Sequence, residues 1–270
     1  MPWQSPYQSP DFVHTRSCAD AFLGVRLVTF EDGFQCYTHT STEETELIYN
    51  EIFIKREYLR HLPPLATMKT VVDIGANIGI FTLLAKRENP AMAVYAFEPM
   101  KATYDTLLRN MKLHHLSNVT ALNVAIGAQD HAVRTFTYYP NMAGNSTANP
   151  NYKETQRAQM QDTFGKQMTE WAFTAENKIA PVRTLSATVK EYQLSSIDLL
   201  KIDTEGDESL VLDGTEESDF RIVRNMVIET HTETLHDSIS ARLQRLGYKI
   251  ESDTGLSAFP GVGNLYATKL

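Results

Sequence analysis

The chain has little of what membrane-spanning and nucleic-acid-binding proteins depend on. Its 270 residues contain no apolar stretch long enough to cross a bilayer, and no basic run offsets the formal net charge of −8. An acidic chain without a basic patch is repelled by phosphate backbones and by anionic lipid surfaces. We therefore expect no nucleic acid and no membrane among its partners, and a small molecule instead.

Cysteine is also scarce. The two cysteines, Cys18 and Cys36, do not stand in a C-x-x-C spacing, which disfavours both a zinc site and a disulfide framework. The first six residues lack the charged start and the apolar run of a secretory signal. These features predict a protein of a reducing compartment, and the cytoplasm is the expected location.

The most informative stretch of the sequence begins at residue 70. A β-branched run at residues 70–74 is followed by a Gly-x-Asn-x-Gly turn at residues 75–79 and then by apolar residues at helical spacing. This pattern predicts a strand, a tight turn and a helix. The glycines let the backbone approach a ligand, and the N-terminus of the helix presents free N–H groups and a partial positive charge. We interpret the turn as a binding loop.

The residues of this loop narrow the choice of ligand. A dinucleotide-binding turn has the pattern Gly-x-Gly-x-x-Gly, whereas this chain has Asn77 at the second position and Ile80 near the third. Asp73, at the end of the strand, suits a ligand with an ammonium group, such as the methionine part of S-adenosylmethionine. Asp73, Gly75, Asn77 and Gly79 are therefore predicted to bind the cofactor. A nucleotide-dependent oxidoreductase on a similar sheet stays open.

The ends of the next two strands extend this site. The strand predicted at residues 93–97 is followed by Glu98, and a carboxylate at the tip of a second strand can accept hydrogen bonds from both hydroxyls of a ribose. The strand predicted at residues 119–124 is followed by Ala125, a small residue that leaves room for a flat ring. We predict that Glu98 binds the ribose and that Asn123 and Ala125 border the adenine.

A second group of charged residues follows two later strands. One buried-looking strand delivers Lys201, Asp203 and Glu205 to its carboxyl end, and another ends in His231. Charged groups on a buried strand are costly unless they are paired or exposed in a cleft, so they predict either a site or an ion-pair cluster. Because crossovers between parallel strands are right-handed, all these strand ends are expected at the same edge as the glycine turn.

The alternation of strands and helices from residue 70 onward predicts the fold class. We predict an α/β protein with a Rossmann-like, doubly wound sheet of seven mostly parallel strands, whose last two strands form an antiparallel pair. Residues 1–69 would form an N-terminal arm, a hairpin and a cap helix, with an extended arm at residues 1–17. Residues 70–270 would form the main domain, with an insertion at about residues 129–180.

Two segments outside the sheet are predicted to shape the substrate side. The helix that begins near Thr42 is expected to continue to about Leu59 and to cap the pocket. The insertion is too long for a connection in a compact core, so it is expected to be a lid or a dimer contact, and a dimer contact would make the protein a homodimer. The residues predicted to contact substrate are Tyr49, Tyr58, Tyr139, Asn141 and Asn145.

These motifs resemble those of class I S-adenosylmethionine-dependent methyltransferases and, more narrowly, those of the FkbM family. The resemblance is carried by residues 72–79, 96–99, 200–206, 211–214 and 227–231. It implies S-adenosylmethionine as cofactor and S-adenosylhomocysteine as product. Residues 49–58 and 139–141 also resemble family members that O-methylate polyketide and macrolide hydroxyls in secondary metabolism. That likeness implies natural product biosynthesis, with a hydroxyl as the acceptor.

Methyl transfer to a hydroxyl needs the oxygen in line with the sulfur–methyl bond and a base for the proton. His231 is the predicted base because neutral imidazole titrates near neutral pH; Asp203 would orient it or take the proton itself, and Glu205 would align the acceptor. Three alternatives stay open. They are a sugar or protein acceptor, a divalent ion held by these three side chains, and a catalytically silent S-adenosylmethionine-binding interaction protein.

Overall fold

The computed structural model describes residues 24–254 and 263–270, so the arm predicted at residues 1–17 lies outside the described residues. The strands are β1 (Arg26–Thr29), β2 (Gln35–Thr38), β3 (Thr70–Ile74), β4 (Ala93–Phe97), β5 (Val119–Leu122), β6 (Ala125–Ile126), β7 (Ala132–Tyr138), β8 (Glu176–Arg183), β9 (Leu199–Ile202), β10 (Asn225–Thr230), β11 (Tyr248–Thr254) and β12 (Gly263–Lys269). The α-helices are α1 (Thr42–Tyr49), α2 (Ile80–Glu88), α3 (Lys101–Leu113), α4 (Lys153–Phe164), α5 (Lys166–Ala172), α6 (Leu185–Glu191), α7 (Glu208–Asp213) and α8 (Glu233–Arg245).

Seven strands form the central sheet, in the order β5–β4–β3–β9–β10–β12–β11. All neighbours are parallel except β12, which is antiparallel to both β10 and β11. The predicted seven-stranded, mostly parallel sheet with a final antiparallel pair is therefore confirmed. Strand order reverses between β3 and β9, and ligands of such sheets bind at the carboxyl ends of the strands beside this reversal.

Both faces of the sheet are covered, which explains why its strands read as nearly continuous apolar runs. In β3, Val71 packs with α2 and the N-terminal hairpin, whereas Val72 and Ile74 pack on the other face with α6, α7 and α8. The alternation of side chains along a strand separates these two apolar clusters. Among the described residues, no helix combines the length and the apolar composition that a membrane crossing requires.

The N-terminal cap, the described segment that precedes β3, contains a hairpin and a helix. Strands β1 and β2 form an antiparallel hairpin, and the side chain of Ser41 caps α1 by accepting a hydrogen bond from the backbone N–H of Glu44 at 3.0 Å. The helix is shorter than predicted. It ends at Tyr49 and continues as a π-helical turn at Asn50–Ile54, and the left-handed backbone of Arg56 (φ 53°) then interrupts helical geometry.

The insertion has more regular structure than its turn-rich sequence predicted. Strands β6, β8 and β7 form a second sheet in that order, and α4 and α5 connect β7 to β8. Strand β8 covers residues 176–183, and β7 pairs with its residues 176–182. Phe136 and Tyr138 are buried on one face of β7. The domain division at residue 69 stays a prediction.

Candidate active site

A cavity opens at the carboxyl edge of the central sheet, beside the reversal of strand order. Its wall is formed by the turn after β3, the ends of β4 and β9, and Ala143, Gly144 and Ser146 of the insertion. Six of the predicted site residues line it, namely Gly75, Asn77, Glu98, Ala125, Asp203 and Glu205. The structure therefore brings together the two groups of residues that the sequence placed at separate strand ends.

The glycine turn brings the end of β3 against the residue that follows β9. At Gly75 the backbone is left-handed (φ 76°), and an added Cβ would lie 1.7 Å from the carbonyl oxygen of Asp203. At Gly79, where φ is 91°, an added Cβ would lie 2.4 Å from the Leu107 side chain. Asn77 is left-handed too, and its backbone N–H donates to Glu98 Oε2 at 3.0 Å. Close approach, as well as backbone conformation, explains both glycines.

Substitution of Gly75 by alanine is expected to destabilise the fold by about 3 kcal/mol or more, because a strained backbone and a backbone clash act together. Gly33→Ala is the matched control, since φ is 81° there but nothing lies within 4 Å of the added Cβ. It should cost only the left-handed strain of about 1–2 kcal/mol. Chemical denaturation of both variants measures the difference, and equal losses would contradict the close-approach explanation.

Glu98 is buried with its carboxylate held by the backbone. Oε1 accepts from the N–H of Met100 at 2.8 Å, while Oε2 accepts from Asn77. Burial raises the pKa of Glu98 to about 7, although both hydrogen bonds favour the ionised form. Each oxygen retains a lone pair for a ligand. Asn123, in contrast, does not line the cavity: its side chain donates to the backbone oxygens of Glu98 and Pro99 and so holds the strand end.

Asp73 is completely buried and does not line the cavity. One oxygen accepts from the Thr82 hydroxyl at 2.8 Å, and the other lies 3.2 Å from Lys201 Nζ. Lys201 also donates to the carbonyl oxygen of Gly75 at 3.0 Å. The structure thus gives Asp73 a protein cation as its partner, whereas the sequence predicted the ammonium group of a ligand.

Asp203 borders the cavity and is surrounded by polar groups. The Tyr58 hydroxyl donates to Oδ2 at 2.8 Å, and Lys201 Nζ lies 3.5 Å from the same oxygen. Burial, together with the negative charge of Asp203, raises the pKa of Glu229 well above its usual range. Tyr58, predicted to contact substrate, donates to Asp203 and does not itself line the cavity.

Glu205 and His231 form an ion pair, with Nε2 of the imidazole 2.8 Å from Oε2. Burial alone would lower the pKa of His231, but the charge and hydrogen bond of Glu205 outweigh it and raise the pKa to about 10. Lys153 also binds Glu205, and the two cations lower the pKa of its carboxyl despite burial. The imidazole is therefore protonated at neutral pH in this arrangement, which conflicts with the neutral base that the sequence favoured.

None of the five predicted substrate residues lines the cavity. Asn145, like Tyr58, contacts a charged side chain, in its case Lys153. Tyr49 stacks on Phe30, with ring centroids 3.8 Å apart, inside the N-terminal cap. Tyr139 packs edge-on against Phe173 within the insertion. The Asn141 side chain donates to the carbonyl oxygen of Trp171 at 2.8 Å. The structure therefore assigns these three side chains to packing or to hydrogen bonds within the protein, and it does not support the substrate contacts predicted for them.

Three acidic or basic residues of the site were not predicted. They are Glu44, Glu229 and Lys153. Glu44, from α1, accepts a hydrogen bond from the backbone N–H of Gly144 at 2.8 Å and so ties the cap to the insertion. A charged residue within the apolar run of β10 was a signal for Glu229. Neither Glu44 nor Lys153 differs in its sequence pattern from ordinary surface residues of a helix.

One set of donor atoms could hold a metal ion. Among the described residues, one ligand atom each from Glu205, Glu229 and His231 lies within 4.8 Å of the other two. Two carboxylates and one imidazole suit a divalent cation. In the described arrangement, however, Lys153 is bound to Glu205, and the pKa values of His231 and Glu229 are both raised, so a metal would need to displace a lysine and the protons of two ligands.

Fold and cavity together define a class of protein. A doubly wound sheet of seven strands with one antiparallel strand, a glycine turn after its first parallel strand and a carboxylate after the second characterise the class I methyltransferases that use S-adenosylmethionine. The family profile described as the methyltransferase FkbM domain matches residues 73–250. The chain belongs to this family and is an S-adenosylmethionine-dependent methyltransferase.

Individual relatives agree with this assignment. "Methyltransferase sdnD" of Sordaria araneosa is 36% identical over 229 residues, which cover 80% of this chain and 87% of the relative. "31-O-demethyl-FK506 methyltransferase FkbM" of Streptomyces tacrolimicus is 32% identical over 204 residues, which cover 72% of this chain and 77% of the relative. The solved structure of M. jannaschii TYW2 with AdoMet aligns over 92% of this chain and 87% of that chain, at 15% identity and a TM-score of 0.46, a likeness too weak to carry an argument.

Proposed function

We propose that this methyltransferase transfers the methyl group of S-adenosylmethionine to a hydroxyl of a small molecule, of the polyketide, macrolide or related secondary-metabolite class. The observation that carries the proposal is the cavity itself. It has Glu98 beside the glycine turn and Asp203 beside the end of β9, with the turn between them. A ribose-binding carboxylate and a proton-accepting carboxylate are the two groups that such a reaction needs in one cavity.

The cofactor would occupy the side of the cavity formed by the ends of β3 and β4. Glu98 would accept hydrogen bonds from the ribose hydroxyls through the lone pairs that the backbone leaves free. Gly75 and Asn77 would lie along the cofactor, and Ala125 would border the adenine. Asp73, Gly79 and Asn123 would act indirectly, by holding the turn and the strand ends.

The chemical step requires a small set of groups. The acceptor oxygen attacks the methyl carbon, the carbon–sulfur bond breaks with its electrons passing to sulfur, and S-adenosylhomocysteine leaves as a neutral thioether. The proton of the acceptor hydroxyl passes to Asp203, whose side chain borders the cavity. Tyr58 and Lys201 hold Asp203 in place. His231 would act as a cation that fixes Glu205, which aligns the acceptor.

The class of acceptor is supported by a relative. The Streptomyces tacrolimicus relative is named for 31-O-demethyl-FK506, and it matches most of this chain. A hydroxyl on a comparable molecule would have its proton directed at Asp203 when its carbon skeleton lies along the insertion. The wall that the insertion supplies includes Phe136 and Ala143, two apolar residues suited to such a skeleton.

Calorimetric titration of the protein with S-adenosylmethionine, S-adenosylhomocysteine and NAD tests the cofactor half of the proposal. We expect binding of the first two and none of NAD. Formation of S-adenosylhomocysteine with a panel of hydroxylated macrolides and polyketides, including 31-O-demethyl-FK506, tests the acceptor half. A panel of sugars and unfolded peptides is the matched control. Turnover confined to the control panel would overturn the acceptor class but not the cofactor.

A metal-assisted reaction is the second candidate, favoured by the donor set of Glu205, Glu229 and His231. A divalent ion there would polarise the acceptor oxygen and favour loss of its proton. The test is turnover after chelation and after re-addition of Mg²⁺ or Mn²⁺. Activity that survives chelation supports proton transfer to Asp203 alone, whereas loss and recovery would support the metal-assisted reaction.

The pKa of Glu98 predicts a pH-dependent affinity for the cofactor. Ribose hydroxyls donate to the carboxylate, and this form is lost as the pH falls through about 7. The dissociation constant of S-adenosylmethionine is therefore expected to rise by about tenfold between pH 8 and pH 6, as for a single titrating group. Calorimetry at several pH values, with the net proton exchange recorded in two buffers, measures this dependence.

Two variants test whether Glu98 causes this pH dependence. Glu98→Gln should bind S-adenosylmethionine more weakly at both pH values and with little pH dependence. Glu44→Gln is the matched control, because burial raises the pKa of Glu44 to about 7 as well, but its side chain does not line the cavity. In Glu44→Gln the dissociation constant of S-adenosylmethionine should depend on pH as it does in the wild type. If the pH dependence of affinity disappears in Glu44→Gln and persists in Glu98→Gln, Glu98 is not the residue that binds the ribose.

A further inference from the structure

Lys153 is an unusual residue for the start of an insertion helix. It is only 2% exposed, although lysine is seldom fully buried unless its charge is paired. Its ammonium group binds Glu205 and also donates to Asn145 Oδ1 at 3.2 Å. The insertion therefore places a cation beside a carboxylate that lines the cavity. Desolvating a lysine has a free-energy cost, so its burial here needs an explanation in terms of that carboxylate.

The backbone around Glu205 needs external support. Glu205 is left-handed (φ 57°), a conformation that a non-glycine residue keeps only when its surroundings enforce it. The insertion provides these contacts: Thr147 donates to the carbonyl oxygen of Glu205 at 2.6 Å, and Asn149 donates to that of Gly206 at 3.0 Å. The Tyr152 ring lies so close to Gly206 that an added Cβ would be 2.3 Å from it.

We propose that Lys153 is a positioning residue for methyl transfer, which together with His231 holds the Glu205 carboxylate at the cavity wall. The two cations contact the same carboxylate oxygen, one from the insertion and one from the end of β10. Glu205 is thereby fixed between the insertion and the central sheet. Lys153 acts on the acceptor only through Glu205, and it does not line the cavity. The proposal rests on the proposed function, in which Glu205 aligns the acceptor.

This arrangement also gives the insertion a role in catalysis. Because Lys153 is anchored at the first turn of α4, its contact with Glu205 depends on the placement of the whole insertion. Within the same segment, Asn145 holds the ammonium group, while its neighbours Gly144 and Ser146 line the cavity. Contact with the acceptor along this wall is thus coupled to the position of the aligning carboxylate.

The test compares Lys153→Met, which keeps the length and loses the charge, with Lys153→Arg, which keeps the charge. In Lys153→Met, kcat for the panel compound that the wild type methylates fastest should fall by about 10- to 100-fold, because Glu205 no longer holds the acceptor in line. The KM for S-adenosylmethionine should stay within about twofold, since the cofactor contacts lie elsewhere. Lys153→Arg should recover most of kcat.

Lys166→Met is the control, because Lys166 belongs to the same insertion, is 76% exposed and contacts only Glu170 among its acidic neighbours. It should change neither constant. Hydrogen–deuterium exchange gives a second measurement that needs no acceptor. With S-adenosylhomocysteine bound, amides of residues 204–208 should exchange at least about tenfold faster in Lys153→Met than in wild type, while those of α5 should not change.

The results of these experiments distinguish a positioning role of Lys153 from a role in stabilising the insertion alone. Unchanged exchange at residues 204–208 would overturn the positioning role, as would a Lys153→Arg variant as impaired as Lys153→Met. Faster exchange throughout α4 and α5, with weaker S-adenosylhomocysteine binding, would show that Lys153 only stabilises the insertion and would also overturn it. If the wild type itself fails to bind S-adenosylhomocysteine, the proposed function fails. The exchange comparison without the cofactor product then still tests the contact of Lys153 with Glu205.

Discussion

Replacement of Asp203 by asparagine is expected to lower kcat for methyl transfer by about 10²- to 10⁴-fold, the usual contribution of a positioned base. Asparagine keeps the shape of the side chain and can still accept the hydrogen bond from Tyr58, but it cannot take up the acceptor proton. Lys201 keeps its second carboxylate, Asp73, so the fold should survive. Single-turnover formation of S-adenosylhomocysteine measures the rate, and calorimetry shows whether cofactor binding is retained.

Two further variants identify the base. Tyr58→Phe removes the hydrogen bond to Asp203 but leaves its carboxylate, and it should lower kcat by only about tenfold or less, as the loss of one hydrogen bond would. His231→Gln removes the cation beside Glu205 and should lower kcat less than Asp203→Asn does. The relative losses of kcat in Asp203→Asn and His231→Gln decide which residue is the base. If His231→Gln abolishes turnover while Asp203→Asn retains it, the base is His231, as the sequence indicated.

The fold was predictable because its signals are local. The β-branched runs, the glycine turn and the charged strand ends each occupy a few consecutive residues, and the right-handed crossover rule then places them at one edge. The same rule explains why Glu98, Asp203 and Glu205 were correctly expected to lie together. What it does not determine is the direction of a side chain at the strand end. Asp73 therefore points toward α2 and Lys201 and away from the cavity.

The contacts between segments could not be predicted, because nothing in the sequence pairs residues that are far apart. Lys153 contacts Glu205, 52 positions away in the sequence, and Glu44 contacts Gly144, 100 positions away.

For Tyr49 and Tyr139 the sequence predicted a contact with substrate that the structure does not support. An aromatic residue near a predicted pocket can either contact substrate or pack against other side chains. In the structure, Tyr49 packs against Phe30 and Tyr139 packs against Phe173. The protonation of His231 likewise depends on carboxylates from other elements, which no local pattern reveals.

The buried charges beneath the glycine turn lead to the largest expected change in stability. Lys201→Met removes the cation that lies between Asp73 and Asp203. Within the described part of the chain, the fully buried Asp73 carboxylate is then left with the Thr82 hydroxyl alone. Breaking a buried ion pair by removing one partner typically costs about 3–5 kcal/mol, because the remaining charge is neither solvated nor paired. The free energy of unfolding from denaturant titration should fall by this amount.

A second substitution tests the cause of that loss. In Asp73→Asn/Lys201→Met the remaining charge is removed as well, so much of the lost stability should return, although the single variants are each destabilised. Lys249→Met is the control, since Lys249 is 61% exposed and its pairing with Glu251 is screened by solvent, so this substitution should leave the free energy of unfolding nearly unchanged. If the double variant is less stable than Lys201→Met by the full cost of a second independent substitution, Lys201 stabilises the fold by packing and not by neutralising Asp73.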